Sequence, residues 1–330
     1  LESEIIPANK IKFKTVEVAP LPRTFSLKLF QALFKAGKGF FQARKIIKKI
    51  NPDVVFGTGG FVAGPVVQAA SFSGYSTLIH EQNVYPGITN KILSYSVDKI
   101  ALNFEKAQNY FSAGINNNKF VVTGNPIRES ILETKRRQGL KNLNLYTDKK
   151  TLLVFGGSQG SMSINEAMLE VCKYYSENSK VQIIYITGEN NYDKIKERLH
   201  KLDDNILNSN NIKLIPYLHN MEWAYAAADL IVYRAGATGL AEITAKGIPA
   251  ILIPYPYATG NHQEYNARNL EQNQAATVIL DQDLNGTILL NKIRELISNE
   301  KLLNEMKQNS QKMGRPEATG NIVRELRKLL

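Results

Sequence analysis

The sequence is poor in cysteine and histidine, and it has no long apolar run. Its 330 residues contain one cysteine, Cys172, and four histidines, which excludes an internal disulfide and a cysteine-based metal cluster. The histidines show no metal-ligand spacing, so neither a metal nor a cofactor is expected. No apolar stretch approaches the roughly 18 residues of a membrane-spanning helix, and no signal peptide opens the sequence. These absences predict a cytoplasmic chain in a reducing compartment.

The charge balance is basic and uneven. Lys and Arg number 41 against 30 Asp and Glu, a net charge of +11, which points to a polyanionic partner such as nucleic acid, anionic lipid or phosphate. Residues 1–50 hold eleven of the basic residues and three Glu. Nucleic-acid-binding motifs are absent, and the basic residues alternate with phenylalanines at helical spacing. The expected partner is therefore not a nucleic acid.

The same basic region has an apolar helical face. Phe25, Leu29, Leu33, Ala36 and Phe40 recur at helical spacing, with lysines off this face. Two interpretations stay open: the face packs on a sheet, as in any α/β domain, or it lies in the interface of an anionic membrane. We expect two helices here, separated at the glycines 37 and 39 and ending before the Asn-Pro pair at 51–52. The candidate membrane residues are Phe25, Leu29, Phe30, Leu33, Phe34, Lys35 and Lys38.

Beyond residue 50, short β-rich runs alternate with helical patterns. One series begins with DVVFG and a second begins with TLLVFGG. Alternation of this length predicts two parallel sheets, each covered by helices, in an α/β protein. The border is expected between Pro126 and Thr151, where the sequence is polar and without periodicity. The last ten residues predict an amphipathic helix that reaches back to the first domain.

Glycine-rich turns follow several of the predicted strands. The Gly57-Thr58-Gly59-Gly60 turn precedes a helix expected to open near Pro65, and its bare N–H groups are suited to a phosphate. The turn at residues 156–160 adds the hydroxyl of Ser158, but it lacks the Gly-Lys-Ser/Thr ending of a P-loop. Both turns could equally serve chain reversal alone.

Further polar residues stand at strand ends, where parallel sheets bind ligands. Glu242 follows the RAGATG turn and could accept both hydroxyls of a ribose, or merely complement a helix dipole. His262 and Gln263 follow another strand and could bond sugar hydroxyls, while Arg128 stands at the domain border. Asp281 and Asp283 have the spacing of a metal-binding DxD, but their polar loop does not favour that function.

These motifs together resemble one family. GTGGFVAGP, HEQNVYPGITNK, TGNPIR, GGSQGSMSIN, RAGATGLAEI and PYATGNHQEYNA, in this order, resemble the MurG-type N-acetylglucosaminyltransferases over nearly the whole chain. The resemblance implies a GT-B fold, with two Rossmann-like domains facing each other across a cleft. It also implies transfer of GlcNAc, with inversion, from UDP-GlcNAc to lipid I, which makes lipid II for peptidoglycan synthesis, cell shape and cell division.

The resemblance also implies domain limits and a location. Residues 1–127 with 315–330 would form the acceptor and membrane-associating domain, and residues 128–314 the UDP-GlcNAc-binding domain. The protein would be peripheral, on the cytoplasmic side of the cell membrane. The family's histidine base lies in a glycine loop that precedes the matched residues, so the catalytic residues stay unassigned and this chain alone is expected to turn over little.

Roles for individual residues follow from the matched motifs. Arg128 and Ser158 would contact the phosphate and nucleotide region, Glu242 the ribose, and Leu218 the uracil. The Gly57–Gly60 turn would hold the acceptor diphosphate. Gly239 stands where the family usually has Thr, so a hydroxyl contact is missing there. Ala237, Thr238, Gly239, Leu240 and Ala241 would line the diphosphate and sugar, with Asn83, His262 and Gln263 on the GlcNAc hydroxyls.

Other functions remain open. One is another GT-B transferase that glycosylates a lipid or a small aglycone, and another is a UDP-GlcNAc 2-epimerase of similar fold. A third is a non-catalytic, membrane-bound scaffold that binds a sugar nucleotide.

Overall fold

The computed structural model describes residues 2–19, 27–177 and 180–330. The chain divides into two compact units. Unit 1 comprises Leu1–Glu81, Pro86–Val122 and Ile322–Leu330, and unit 2 comprises Gln82–Tyr85 and Thr123–Asn321.

Unit 1 contains a four-stranded parallel sheet. Its strands are β1 (Val54–Gly57), β2 (Ser76–Glu81), β3 (Lys99–Leu102) and β4 (Phe120–Val122), and they lie in chain order. Parallel neighbours need a crossover, which is why helices and short helical turns stand between the strands. The helices of this part are α1 (Glu2–Ala8), α2 (Leu27–Ile50), α3 (Gly60–Phe72) and α4 (Ile88–Leu93), with 3₁₀ turns at Glu105–Tyr110 and Asn117–Lys119.

Helix α2 is one continuous helix, so the prediction of two helices separated at residues 37 and 39 is wrong. A glycine inside a helix costs only about 1 kcal/mol relative to alanine, and packing can offset that cost. Gly39 in fact permits a close approach, because a Cβ there would lie 2.7 Å from the carbonyl oxygen of Glu17. The predicted end is confirmed: the helix stops at Ile50, and Asn51 has a positive φ of 51°.

The apolar residues of α2 divide between a packed face and an exposed one. Ala43 and Ile47 are buried against Ala69 and Ala70 of α3, with Phe40 partly buried beside them. The bare α/β expectation of a helix packed on a sheet is therefore replaced by helix-on-helix packing. Phe34 is 76% exposed.

Helix α3 begins five residues earlier than the sequence indicates. It opens at Gly60, with Gly59 as N-cap at φ 85°, and Pro65 lies inside it. The proline lies early in the helix, and the glycine-rich start hides the true N-terminus from a propensity argument.

Unit 2 contains a six-stranded parallel sheet in the order β10-β9-β8-β5-β6-β7. Counted from β5, this is the strand order 3-2-1-4-5-6 of a dinucleotide-binding Rossmann sheet, whose order reverses between β5 and β8. Its strands are β5 (Lys150–Phe155), β6 (Val181–Ile186), β7 (Ile212–Ile215), β8 (Leu230–Tyr233), β9 (Ala250–Leu252) and β10 (Ala276–Val278).

Helices cover this second sheet and close its core. The core collects apolar residues of β5, β6 and β8 with those of α7 and α13, so the strands are buried along nearly their whole length. The helices are α5 (Glu129–Glu133), α6 (Arg136–Asn142), α7 (Met162–Ser176), α8 (Tyr192–Leu202), α9 (Asn205–Asn208), α10 (Met221–Ala227), α11 (Ala237–Lys246), α12 (His262–Gln272), α13 (Gly286–Ser298) and α14 (Glu300–Met313). Helix α15 (Ala318–Arg327) begins in unit 2 and continues into unit 1. Short 3₁₀ turns stand at Glu189–Asn191, Thr259–Asn261 and Asp281–Asp283.

Two parts of unit 2 differ from the expectation. The segment between Pro126 and Thr151 is not patternless, because it holds α5 and α6, and α6 packs against α10. Gly139 of α6 allows that packing, since a Cβ there would meet the carbonyl oxygen of Trp223. Strand β10 was not predicted, because three residues are too short to show a period.

The C-terminal residues pack on the sheet of unit 1. Ile322 is buried with Leu78 of β2 and Ala101 of β3. The hydroxyl of Ser76 donates to the carbonyl oxygen of Leu329 at 2.9 Å. Unit 1 is therefore completed by residues from the far end of the chain.

The expected fold class is confirmed, since two α/β units each contain a parallel sheet. In the described ranges, no helix is both long enough and apolar enough to cross a membrane.

Candidate functional site

A cavity of about 390 Å³ opens in unit 2 where the strand order reverses. Phe155 and Tyr233, the last residues of the adjacent strands β5 and β8, both line it. Strands at this point send their following loops to opposite faces of the sheet, which leaves a crevice between the loops. The fold therefore places a ligand cavity where Rossmann-type sheets bind nucleotides.

The first turn of α11 lines one side of this cavity. The helix begins at Ala237 after the N-cap Gly236, and Leu240 is the first residue whose N–H donates within the helix, to the Gly236 oxygen. The N–H groups of Ala237, Thr238 and Gly239 therefore have no acceptor within the helix. Together with the helix dipole they form a site for an anion.

Not every predicted residue of this turn faces the cavity. Thr238 and Gly239 line it. Leu240 is fully buried, and its N–H donates to the Gly236 oxygen. Its ligand contact stays a prediction. Ala237 and Ala241 do not line the cavity. Of these two residues, only Ala237 has an N–H group that is free to bind an anion.

The turn at residues 156–160 contributes Gly157 and Ser158 to the cavity wall. Gly157 and Gly160 have φ angles of 94° and 74°, and a Cβ at Gly160 would collide with the Thr187 carbonyl. These glycines thus fold the turn tightly and leave the Ser158 hydroxyl beside the cavity. The turn ends at Ser161, whose hydroxyl accepts from Ile164 N and caps α7.

Glu242 lies deeper in the cavity and is held by two partners. Its side chain is 9% exposed, and its Oε1 lies 3.4 Å from Nη2 of Arg128. Arg128 also lies 4.0 Å from Glu222, so its guanidinium spans two carboxylates. The hydroxyl of Tyr225 donates to Glu242, and the pKa of Tyr225 is raised first by burial and then by this carboxylate. A carboxylate held in this way presents its remaining lone pairs to the cavity.

A rim of larger side chains closes the other side. Leu218 lines the cavity, together with Tyr217, His219 and Met221. The rings of Tyr217 and His219 lie 4.9 Å apart, edge to face. Apolar and aromatic surface beside backbone groups is suited to a planar base.

Three predicted sugar-contacting residues lie outside the lining of this cavity. Nδ1 of His262 lies 2.6 Å from the Thr259 oxygen, and Oε1 of Gln263 accepts from Tyr255 N at 2.9 Å. Asn83 accepts from Nδ2 of Asn266 at 3.0 Å. The same Nδ2 group lies 3.2 Å from the Ala235 oxygen, so Asn266 links Asn83 to the start of the α11 turn.

The Gly57–Gly60 turn stands at the carboxyl end of β1 in unit 1. Gly59 and Gly60 have φ angles of 85° and 79°, which L side chains rarely adopt. A Cβ on Gly59 would lie 3.2 Å from Nδ2 of Asn90, which is itself fixed to the His80 oxygen and to Glu81. The turn leads into α3, so the free N–H groups of a second helix stand here.

The residues of the DxD pattern have structural partners. Asp281 accepts from Arg234 at 2.5 Å and from the Ser163 hydroxyl at 2.6 Å. This network fixes the loop after β10 beside the start of α7. Within the described part of the chain, no three His, Cys, Asp or Glu residues are grouped as a metal site.

Sequence reasoning missed Tyr225, Tyr233 and Asn266. Tyr233 ends a parallel strand directly before a glycine-rich turn, so its position alone could have indicated it. Tyr225 lies among alanines of α10 and carries no signal that separates it from a core residue. Asn266 has 0% exposure, and its role depends on contacts between segments far apart in the sequence.

The fold and the cavity are those of a Rossmann-type nucleotide-binding protein, and family comparison makes it a glycosyltransferase. The chain matches the family 28 glycosyltransferase N-terminal domain over residues 1–102 and the C-terminal domain over residues 151–322. The chain belongs to glycosyltransferase family 28 and is a hexosyltransferase, which confirms the resemblance seen in the motifs.

The similar proteins form one functional group. The chain is 54% identical over 323 residues to the UDP-N-acetylglucosamine--N-acetylmuramyl-(pentapeptide) pyrophosphoryl-undecaprenol N-acetylglucosamine transferase of Halothermothrix orenii, covering 98% of this chain and 87% of the relative. It is 45% identical to the protein of the same name from Desulforamulus reducens, covering 100% and 88%.

Solved structures give the same result for the fold. MurG of Acinetobacter baumannii is 27% identical and superposes with a TM-score of 0.75, covering 99% of this chain and 88% of that one. A UDP-GlcNAc 2-epimerase from Neisseria meningitidis bound to UDP-GlcNAc superposes with a TM-score of 0.69 at 14% identity, covering 99% and 88%. The second similarity concerns the fold alone.

Proposed function

We propose that this protein transfers GlcNAc from UDP-GlcNAc to lipid I, the undecaprenyl-diphosphate-linked muramoyl-pentapeptide, with inversion at the anomeric carbon. The observation that carries the proposal is the unit 2 cavity. It combines the free N–H groups of Thr238 and Gly239 at the start of α11, the Ser158 hydroxyl and the buried carboxylate of Glu242 around one space. Relatives up to 54% identical are named for this reaction.

Within the cavity each group has a separate task. The α11 N-terminus and the 156–160 turn donate to the diphosphate, Glu242 accepts from the ribose hydroxyls, and Leu218 with its neighbours contacts uracil. Arg128 fixes the carboxylate of Glu242 and adds positive charge to the nucleotide region. His262 and Gln263 stand at the start of α12, with Asn83 bonded to Asn266, and they contact the sugar hydroxyls. The matched motifs support all of these roles, and the cavity lining supports those of Arg128, Ser158, Leu218 and Glu242.

The chemistry follows from these placements. When the acceptor hydroxyl displaces UDP, negative charge develops on the leaving diphosphate. N–H groups already oriented by the helix stabilise that charge without reorganising, which lowers the barrier to transfer. The Gly57–Gly60 turn at the start of α3 holds the acceptor diphosphate in unit 1 by the same physics.

We further propose that the protein is peripheral to the cytoplasmic face of an anionic membrane. Support comes from α2, where Phe34 is 76% and Phe41 68% exposed, with exposed lysines 35 and 38 between them. Lys38 also pairs with Glu17 at 2.8 Å. Of the other candidates, Leu29, Phe30 and Leu33 belong to α2 with side chains that are not described, and Phe25 lies outside the described residues. An apolar cavity of about 230 Å³, lined by Phe40, Phe61 and Ile92, opens in the same unit.

The experiment is transfer of radiolabelled GlcNAc from UDP-GlcNAc to lipid I in detergent, using the gene product. We expect labelled lipid II and released UDP, and loss of both in the Glu242→Ala variant. The control is Glu170→Ala, which removes a carboxylate that pairs with Thr287 instead of lining the cavity. Conversion of UDP-GlcNAc to UDP-ManNAc without lipid product would favour the epimerase alternative and contradict the proposal.

A further inference from the structure

The hydroxyl of Tyr233 lies at the first turn of α11, inside the cavity wall. Tyr233 is the last residue of β8, is 7% exposed, and lines the cavity. Its ring stacks on that of Phe155, with centroids 4.4 Å apart and planes at 27°. The ends of the adjacent strands β5 and β8 therefore hold the phenol ring in a fixed position.

Two glycines of α11 leave the space that this phenol occupies. A Cβ at Gly239 would lie 2.5 Å from the Tyr233 oxygen, and a Cβ at Gly236 would lie 2.7 Å from it. Neither glycine has a positive φ, so backbone strain is not the reason for them. The hydroxyl thus stands where side chains of the first helical turn would otherwise stand.

The hydrogen bonding of this phenol is half complete. The Gly236 N–H interacts with the phenol oxygen as donor. No acceptor for the hydroxyl proton is recorded among residues 2–19, 27–177 and 180–330. Burial raises the pKa of Tyr233, and Glu242 raises it further, so the phenol keeps its proton at neutral pH. In the described residues, the fully buried side-chain atoms without a hydrogen-bond partner are Ser73 Oγ and Asn90 Oδ1. The Tyr233 hydroxyl is not one of them, so it is open to the cavity that Tyr233 lines, where a ligand oxygen can accept its proton.

We propose that Tyr233 is a phosphate-binding residue of the nucleotide site, and that its hydroxyl donates to an oxygen of the bound diphosphate. The free N–H groups of Thr238 and Gly239, which line the same cavity, would bind this diphosphate beside it. An O–H donor to a charged phosphate oxygen forms a short, strong hydrogen bond. This inference rests on the proposed function, because it takes the cavity as the site of a nucleoside diphosphate.

The test compares UDP with uridine, which lacks the diphosphate. Isothermal titration calorimetry gives the dissociation constants of both ligands for the unmodified protein, Tyr233→Phe and Tyr225→Phe. We expect Tyr233→Phe to weaken UDP binding about tenfold, in the range for a hydrogen bond to a charged group, and to leave uridine unchanged. Tyr225→Phe, which frees Glu242, is expected to weaken both ligands alike.

The outcomes separate the two proposals. If the unmodified protein binds neither UDP nor UDP-GlcNAc, the proposed function fails. If it binds UDP and Tyr233→Phe leaves the ratio of the two dissociation constants unchanged, only the present inference fails. A second variant, Gly239→Ala, keeps the phenol hydroxyl but adds a Cβ 2.5 Å from its oxygen, which must displace it. We expect the same selective loss of UDP binding, so the inference does not depend on Tyr233→Phe folding normally. Equal weakening of UDP and uridine in both variants would indicate a structural role and overturn the inference.

Discussion

Single side chains decide what the unit 2 cavity can recognise. Glu242 is buried, yet it accepts from Tyr225 and lies beside Arg128, so its negative charge is compensated. Removing one partner of such a cluster costs more than an exposed ion pair of the same geometry, because the remaining group stays buried. Recognition of the ribose therefore depends on the support of the carboxylate as well as on the carboxylate itself.

This gives a prediction for Glu242→Gln. The neutral amide turns one acceptor oxygen into a donor, so we expect UDP to bind roughly 10- to 100-fold more weakly. The loss should shrink for 2′-deoxy-UDP, which offers the carboxylate one hydroxyl fewer. Calorimetry with both ligands measures this, with Glu170→Gln as control. Equal losses for UDP and its 2′-deoxy analogue would rule out a ribose contact.

Among single residues, the sequence was informative for polar side chains in or directly after a glycine-rich turn. Ser158 and Thr238 lie in such turns, Glu242 follows one, and all three line the cavity. For Leu240, whose side chain is fully buried, the expected backbone contact with the ligand stays a prediction. Tyr225 was not found, because a tyrosine on a helix is known to face a carboxylate only after α10 and α11 are packed together.

Helix α2 shows how one element can carry two different surfaces. Ala43 and Ile47 face α3, while Phe34 and Phe41, seven residues apart, share an exposed face. The exposed face carries two phenylalanines, whereas an amphipathic helix on a core usually exposes polar residues there. The exposed phenylalanines require a partner, and an anionic membrane fits the neighbouring lysines.

We predict that the double variant Phe34→Ala/Phe41→Ala binds anionic vesicles at least about tenfold more weakly, because each phenylalanine contributes on the order of 1.5 to 3 kcal/mol when fully buried. Co-sedimentation with phosphatidylglycerol vesicles measures the binding. Tyr257→Ala is the control, since Tyr257 is 82% exposed but belongs to unit 2. Unchanged vesicle binding by the double variant, with the control also unchanged, would contradict the assignment of this face.

The parallel strands were predicted better than the limits of the helices. The strands β1 to β9 coincide with β-rich runs seen in the sequence, because buried parallel strands read as short apolar segments between turns. The start of α3 and the continuity of α2 were wrong, since glycine and proline signals were given more weight than tertiary packing. Helices α5 and α6 are short, and their stability depends on contacts with α10 that local sequence does not encode.

At the scale of the molecule, the buried phenols of the described residues and the buried thiol lie in unit 2. Burial raises the pKa of Tyr175 to about 12, and it raises the pKa values of Tyr185, Tyr225, Tyr233 and the Cys172 thiol. In an unfolded chain a phenol titrates near about 10. Above that pH the unfolded state holds fewer protons than the folded one, so the free energy of unfolding decreases as pH rises.

We therefore predict alkaline destabilisation of unit 2. The contribution of each buried phenol is fully present below pH 10 or so and falls by about 1.4 kcal/mol per pH unit until its folded-state pKa is reached. Urea unfolding followed by circular dichroism, with tyrosinate absorbance in parallel, measures this between about pH 8 and pH 11. Tyr175→Phe should flatten the decline. A midpoint independent of pH in this range would contradict the prediction.

Unit 1 is assembled from the two ends of the chain, and this affects its biosynthesis. Leu78 and Ala101 are covered by Ile322, which is synthesised 244 and 221 residues after them. At the usual 5–20 residues per second, those apolar strand positions stay uncovered for roughly 10–50 s. During that interval unit 2 can complete its own sheet, whereas the apolar strand positions of unit 1 stay exposed and open to chaperone binding.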